Sequence, residues 1–103
     1  MKKQDDLKER TKQFALRIIR LFSSLPKTAE AQVLGKQLLH SGTSVGTNYR
    51  EAYRARSKSE FVAKCGDSLR ELEESAYWLK LLIDGGNIAS GQTATLAKRN
   101  VTN

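Results

Sequence analysis

Apolar residues recur along this chain at spacings of three and four, the repeat of a helix buried on one face. Leu7, Thr11, Phe14, Ile18, Leu21 and Leu25 form the first stripe, widened by Ala15, Ile19 and Phe22. It predicts a helix over about residues 5–24. Asp5, Asp6 and Glu9 suit the positive end of that helix. Pro26 stops it, because the residue before a proline avoids helical geometry.

The second stripe is Ala31, Leu34, Leu38, Ser41, Val45, Asn48, Ala52 and Ala55. It predicts a helix over about residues 28–56. Half of it is small or polar, and Gly35, Gly42 and Gly46 lie beside it. A glycine costs a helix interior about 1 kcal/mol relative to alanine. Close approach of a neighbouring helix would compensate, and a loop across residues 41–46 is the competing local reading. Asn48 falls on the seam, where a buried amide needs partners and can fix helix register.

Ser57-Lys58-Ser59-Glu60 matches a capping box, serine at the cap and glutamate three residues on. The third helix therefore runs over about residues 58–84. Its seam is Phe61, Cys65, Ser68, Leu72, Ser75, Leu79 and Leu82, broadened by Leu69, Ala76 and Ile83. Gly85-Gly86-Asn87 ends it, since glycine accepts the left-handed geometry beyond a helix C-terminus. The short connection makes helices two and three antiparallel neighbours. Beyond it, Ile88, Ala89, Ala94, Leu96, Ala97 and Val101 supply few apolar contacts, giving a weak fourth helix over about residues 91–101. No stretch alternates as a strand would. The chain reads as one all-α domain over residues 1–103.

Composition narrows what such a domain does. There is no run of about 18 apolar residues, so no span of a membrane is expected. The charged Met-Lys-Lys-Gln-Asp-Asp start lacks a signal peptide's apolar core, which points to the cytoplasm. A single cysteine, Cys65, excludes an internal disulfide and a cysteine-rich metal site. The net charge of +7, from 18 Lys+Arg against 11 Asp+Glu, favours an anionic partner such as nucleic acid. A basic surface that serves only solubility is the other reading.

Nothing in the pattern assembles an active site, and no enzyme, metal or cofactor is expected. His40 is the sole histidine, and a nucleophile would need a base beside it. Cys65 lies on a seam and reads as a small buried hydrophobe. Glu71, Glu73 and Glu74 cannot share one helix face, and no glycine-rich phosphate loop is present. The basic residues are the stronger signal. Arg50, Arg54 and Lys58 recur every four residues, with Tyr49 and Tyr53 beside them, and Arg56, Lys64 and Arg70 extend the patch. Arginine grips phosphate through a planar fork, and tyrosine stacks on an unpaired base. The structural alternative packs the tyrosines between helices or subunits and pairs Arg50 with acids such as Glu71 or Glu74. Tyr77, Trp78 and Leu81 flank the third seam and suit a contact between subunits.

Two runs carry a resemblance. Ser41-Gly42-Thr43-Ser44-Val45-Gly46-Thr47-Asn48-Tyr49-Arg50-Glu51-Ala52 resembles the second helix of proteins encoded in 23S rRNA intervening sequences. Leu69-Arg-Glu-Leu-Glu-Glu-Ser-Ala-Tyr-Trp-Leu-Lys-Leu-Leu82 resembles their third. The likeness extends over about residues 14–86. It implies an up-down-up-down four-helix bundle, here with a short or degenerate fourth helix. It also implies a homo-oligomer, with a ring of five favoured. Related accessory proteins of diversity-generating retroelements bind nucleic acid and a reverse transcriptase, which implies RNA, DNA or a protein as partner.

Overall fold

The computed structural model describes residues 2–89, with side chains placed from Asp6 onward. These residues form three α-helices and no strand: α1 (Lys2–Ser23), α2 (Ala29–Ala52) and α3 (Lys58–Asp84). The fourth helix expected over residues 91–101 lies outside the described residues.

Each helix end has a local cause. Past α1, the amides of Ser24 and Leu25 turn back three residues to the carbonyls of Leu21 and Phe22, at 3.0 and 3.2 Å. Thr28 is extended and caps α2, its hydroxyl accepting from the Ala31 amide at 3.3 Å. The helix runs unbroken through Ser41–Gly46, so the loop alternative is excluded. It stops at Ala52, four residues short of the predicted end. The amides of Tyr53, Arg54 and Ala55 tighten onto the carbonyls of Arg50, Glu51 and Ala52. The reason lies downstream. Ser57 must be extended, at φ −146° and ψ 161°, to aim its hydroxyl at the Glu60 amide, 3.1 Å away. The other half of the capping box shifts by one residue, because the Glu60 carboxylate accepts from the Arg56 amide at 2.9 Å. Beyond α3, Gly86 takes the left-handed conformation at φ 78°, and the Asn87 amide reaches back to the Leu82 carbonyl at 2.8 Å.

The central helix, α2, packs against both others through two different surfaces. Its α1 side is the glycine row. A Cβ built on Gly42 would lie 2.9 Å from Ile18 Cγ1, one on Gly35 3.0 Å from the Phe22 ring, and one on Gly46 3.1 Å from Thr11 Oγ1. The missing side chains are what admit α1. On the α3 side, the seam is closed by hydroxyls. Ser68 donates to the Val45 carbonyl at 2.7 Å, and Ser75 and Ser41 are joined at 2.9 Å. All three serines are buried, and their hydrogen bonds meet the cost of that burial.

These serine contacts set the register of α2 on α3, the role expected of Asn48. Asn48 is instead half-buried, and its amide donates within its own helix, to the Ser44 carbonyl at 3.1 Å. Leu72, expected on the seam, is 42% exposed, because the Ser68–Ser75 line faces α2 and Leu72 lies roughly 60° around the helix from it. The apolar core is asymmetric along the bundle. Ile18, Leu21, Leu25, Ala31, Leu38, Leu79, Leu82 and Ile88 cluster towards the end where α1 turns into α2. Trp78 packs against this cluster, while neighbouring Tyr77 is exposed.

Candidate nucleic-acid interface

The opposite end of the bundle is built differently. Helices α1 and α2 run antiparallel, with Gly35 level with Phe22 and Gly46 level with Thr11. The same register carries Lys8 to the last turn of α2 and the turn that follows. There the Arg50 guanidinium donates to the Lys8 carbonyl at 3.4 Å. The Lys8 ammonium stands 6.0 Å from the centre of the Tyr53 ring, the outer limit of a cation–π contact.

Three aromatic rings close this end. Tyr53 meets Tyr49 and Phe61 edge to face, with centroids 5.2 and 5.3 Å apart, and the two tyrosine hydroxyls lie 3.1 Å apart. Edge-to-face pairs match the positive rim of one ring to the negative face of another. Burial pushes the Tyr49 hydroxyl well above the ordinary tyrosine value, and the hydrogen bond to Tyr53 raises it further. Tyr53 itself stays 42% exposed. The tyrosines thus pack between helices, in line with the structural alternative, while one of them remains open to solvent.

The cations of the expected stripe separate into two groups. Arg50, Arg54, Arg56 and Lys58 are all exposed. Arg54 and Arg56 lie in the connection, so the helical four-residue repeat is broken at Ala52, and Lys58 opens α3. Lys64 and Arg70 are engaged elsewhere. The Lys64 ammonium binds the Glu51 carboxylate at 2.9 Å, and this bond raises its pKa. Arg70 is held by Asp67 at 3.0 Å and lies 3.9 Å from both Glu71 and Glu74. Those two acids therefore pair with Arg70 and not with Arg50. Lys8 is the residue that sequence reasoning missed. The antiparallel register of α1 on the glycine row was the signal that would have found it.

Acids near this end are drawn into local contacts. Asp6 lies 3.8 Å from Arg10, Glu9 accepts from Gln13 at 2.8 Å, Glu51 holds Lys64, and Glu60 caps the turn. Lys8, Arg50, Arg54, Arg56 and Lys58 thus converge from α1, α2, the connection and α3. The chemistry this permits is contact with several phosphates around an aromatic cluster.

Among the described residues, the structure does not bring His40 and Cys65 together. His40 is exposed, and the register Ser41–Ser75 and Val45–Ser68 places Cys65 near Tyr49, about two turns from His40. Among the described residues, no group of three or more His, Cys, Asp or Glu is placed to hold a metal ion. No described helix is long and apolar enough to cross a membrane.

The family model of the 23S rRNA-intervening sequence protein matches residues 3–102. The chain belongs to this family. A crystal structure of a protein of unknown function from the S23 ribosomal protein family of Bacteroides thetaiotaomicron is similar, at 37% identity and a TM-score of 0.83. The similarity covers 92% of this chain and 88% of that one. No curated protein matches the chain. Family membership agrees with the resemblance of the two runs on α2 and α3. The Ser41–Ala52 run holds most of the glycine row and the Ser41 and Val45 contacts, and the Leu69–Leu82 run holds Ser75.

Proposed function

We propose that this protein is a non-enzymatic, self-associating helical bundle of the cytoplasm that binds RNA through its aromatic, basic end. The convergence of Lys8, Arg50, Arg54, Arg56 and Lys58 from separate elements carries this reading. Phosphates spaced along a strand suit cations spread over one end better than a single helical stripe would. A short fourth helix after Ile88 completes the four-helix bundle in this reading, and a ring of five would multiply the basic ends.

Binding then follows phosphate neutralisation, with little sequence preference and a steep salt dependence. Fluorescence anisotropy with mixed-sequence RNA over a range of salt concentrations measures both. Replacing Arg54 and Arg56 together by glutamine flattens the log–log salt slope by about 1.5, at roughly 0.7–0.9 for each phosphate that is no longer neutralised. Lys64→Gln leaves the slope unchanged, because Glu51 already holds that ammonium. Absence of RNA binding at low salt refutes the reading. Equal binding of duplex DNA widens the ligand class to nucleic acid in general. A scaffold for a protein partner is the second reading, favoured by the exposed apolar residues Val62, Leu69 and Tyr77 on α3.

A further inference from the structure

Of the three rings at the basic end, Tyr53 alone is exposed, at 42%, while Tyr49 and Phe61 beside it are half-buried. It is also held in place. Its amide turns back to the Arg50 carbonyl at 3.2 Å, its ring meets both neighbours edge to face, and its hydroxyl lies 3.1 Å from that of Tyr49. Closing the end of the bundle uses the buried side of this ring and leaves the rest in water. A fixed, open ring loses little freedom when a flat partner comes to rest on it.

Its surroundings are cationic. The Lys8 ammonium stands 6.0 Å from the ring centre. Arg54 follows in the chain, and Arg56 and Lys58 complete the connection into α3. None of these four makes an ion pair among the described residues. Glu51 and Glu60, the acids of this stretch, are occupied: Glu51 holds Lys64, and Glu60 accepts from the Arg56 amide. A flat ring bordered by unpaired cations matches a nucleotide whose base is free, the base taking the ring and its phosphates the cations. A duplex offers its phosphates to the cations but keeps its base faces stacked inside, out of reach of the ring.

Resting on the RNA-binding reading of this end, we propose that Tyr53 is a stacking platform for an unpaired base, so that the ligand is single-stranded RNA. Lys8 and Arg54 take the phosphates flanking the stacked base, and the remaining cations follow the strand. The base is held by its face and not by its edge, so base identity counts for little while pairing state counts for much.

Fluorescence anisotropy at one fixed salt concentration compares a mixed-sequence RNA strand free of self-complementarity with the same strand annealed to its complement. The wild type binds the free strand more tightly. Tyr53→Ala weakens that binding about 5- to 150-fold, the cost of one lost base–ring stack, and leaves binding to the duplex unchanged. Tyr53→Trp retains the preference, because it keeps a ring. Helical circular dichroism stays at the wild-type level in both variants, since Tyr53 lies outside the core. The salt slope for the strand is also kept in Tyr53→Ala, because no phosphate contact is lost. A duplex bound as tightly as the strand, or a Tyr53→Ala substitution that weakens both ligands alike or neither, overturns the stacking role. Those outcomes leave the RNA-binding reading standing, whereas a wild type that binds neither ligand at low salt refutes that reading and this one with it.

Discussion

Replacing Gly42 by alanine sets two effects of similar size against each other. Alanine favours the helix over glycine by about 1 kcal/mol, since less backbone freedom is lost on folding. Against this, the new Cβ lies 2.9 Å from Ile18 Cγ1, 3.0 Å from Cγ2 and 3.3 Å from Cβ. Ile18 is fully buried, and its branched side chain is stiff about its first torsion. It cannot swing away, so α1 must move outward. Overpacking of this kind costs about 1–3 kcal/mol. Gly42→Ala is therefore expected to lower stability by up to about 2 kcal/mol. Two further glycines calibrate the result within the same molecule. At Gly46 the Cβ meets Thr11 Oγ1 at 3.1 Å and Thr11 Cβ at 3.4 Å, a milder crowding that roughly cancels the helix gain. At Gly66 it meets nothing within 4 Å, so Gly66→Ala gains about 0.5–1 kcal/mol. Urea denaturation followed by far-ultraviolet circular dichroism gives the three midpoints at constant slope. The expected order of stability is Gly66→Ala above Gly46→Ala above Gly42→Ala. A Gly42→Ala protein as stable as Gly66→Ala refutes the close approach of α1 to the glycine row.

The seam between α2 and α3 should show strong coupling between its two facing serines. Ser41→Ala or Ser75→Ala alone removes the hydrogen bond between the helices, while the remaining hydroxyl keeps its own helix carbonyl (Glu71 for Ser75, Leu38 for Ser41), so each costs about 0.5–1.5 kcal/mol. Replacing both costs less than the sum, and a double-mutant cycle by urea denaturation reads the difference. The Tyr49 hydroxyl predicts an alkaline limit. Its pKa is raised in the folded state, so its contribution is complete below the ordinary value of 10.0 and is lost as pH rises beyond it. Tyr49→Phe should reduce the loss of stability measured above that pH and leave the neutral range little changed.

The chain's own pattern determines the helices, their caps and their order. Pro26, the Ser57 capping box and the Gly85-Gly86 terminus act over a few residues, so sequence shows them directly. The glycine row announces close packing because glycine inside a helix is unfavourable without it. What each face meets is a different matter. Gly42 and Gly66 are the same residue in the same kind of helix, yet one lies against Ile18 and the other against nothing. Seam periodicity places Leu72 inside and gives Asn48 the task of fixing register. The serine hydrogen bonds rotate α3 so that Leu72 emerges, and those bonds fix the register themselves. The basic end shows the same division. Arg50, Arg54 and Lys58 are visible as a local repeat, but helix α2 ends at Ala52 and the repeat dissolves into a turn. Lys8 joins them across 42 residues of chain from Arg50, and Lys64 leaves them for Glu51. Local torsional preferences are written residue by residue, whereas contact between distant side chains depends on how the helices rotate and slide in packing. Only the tertiary structure decides that.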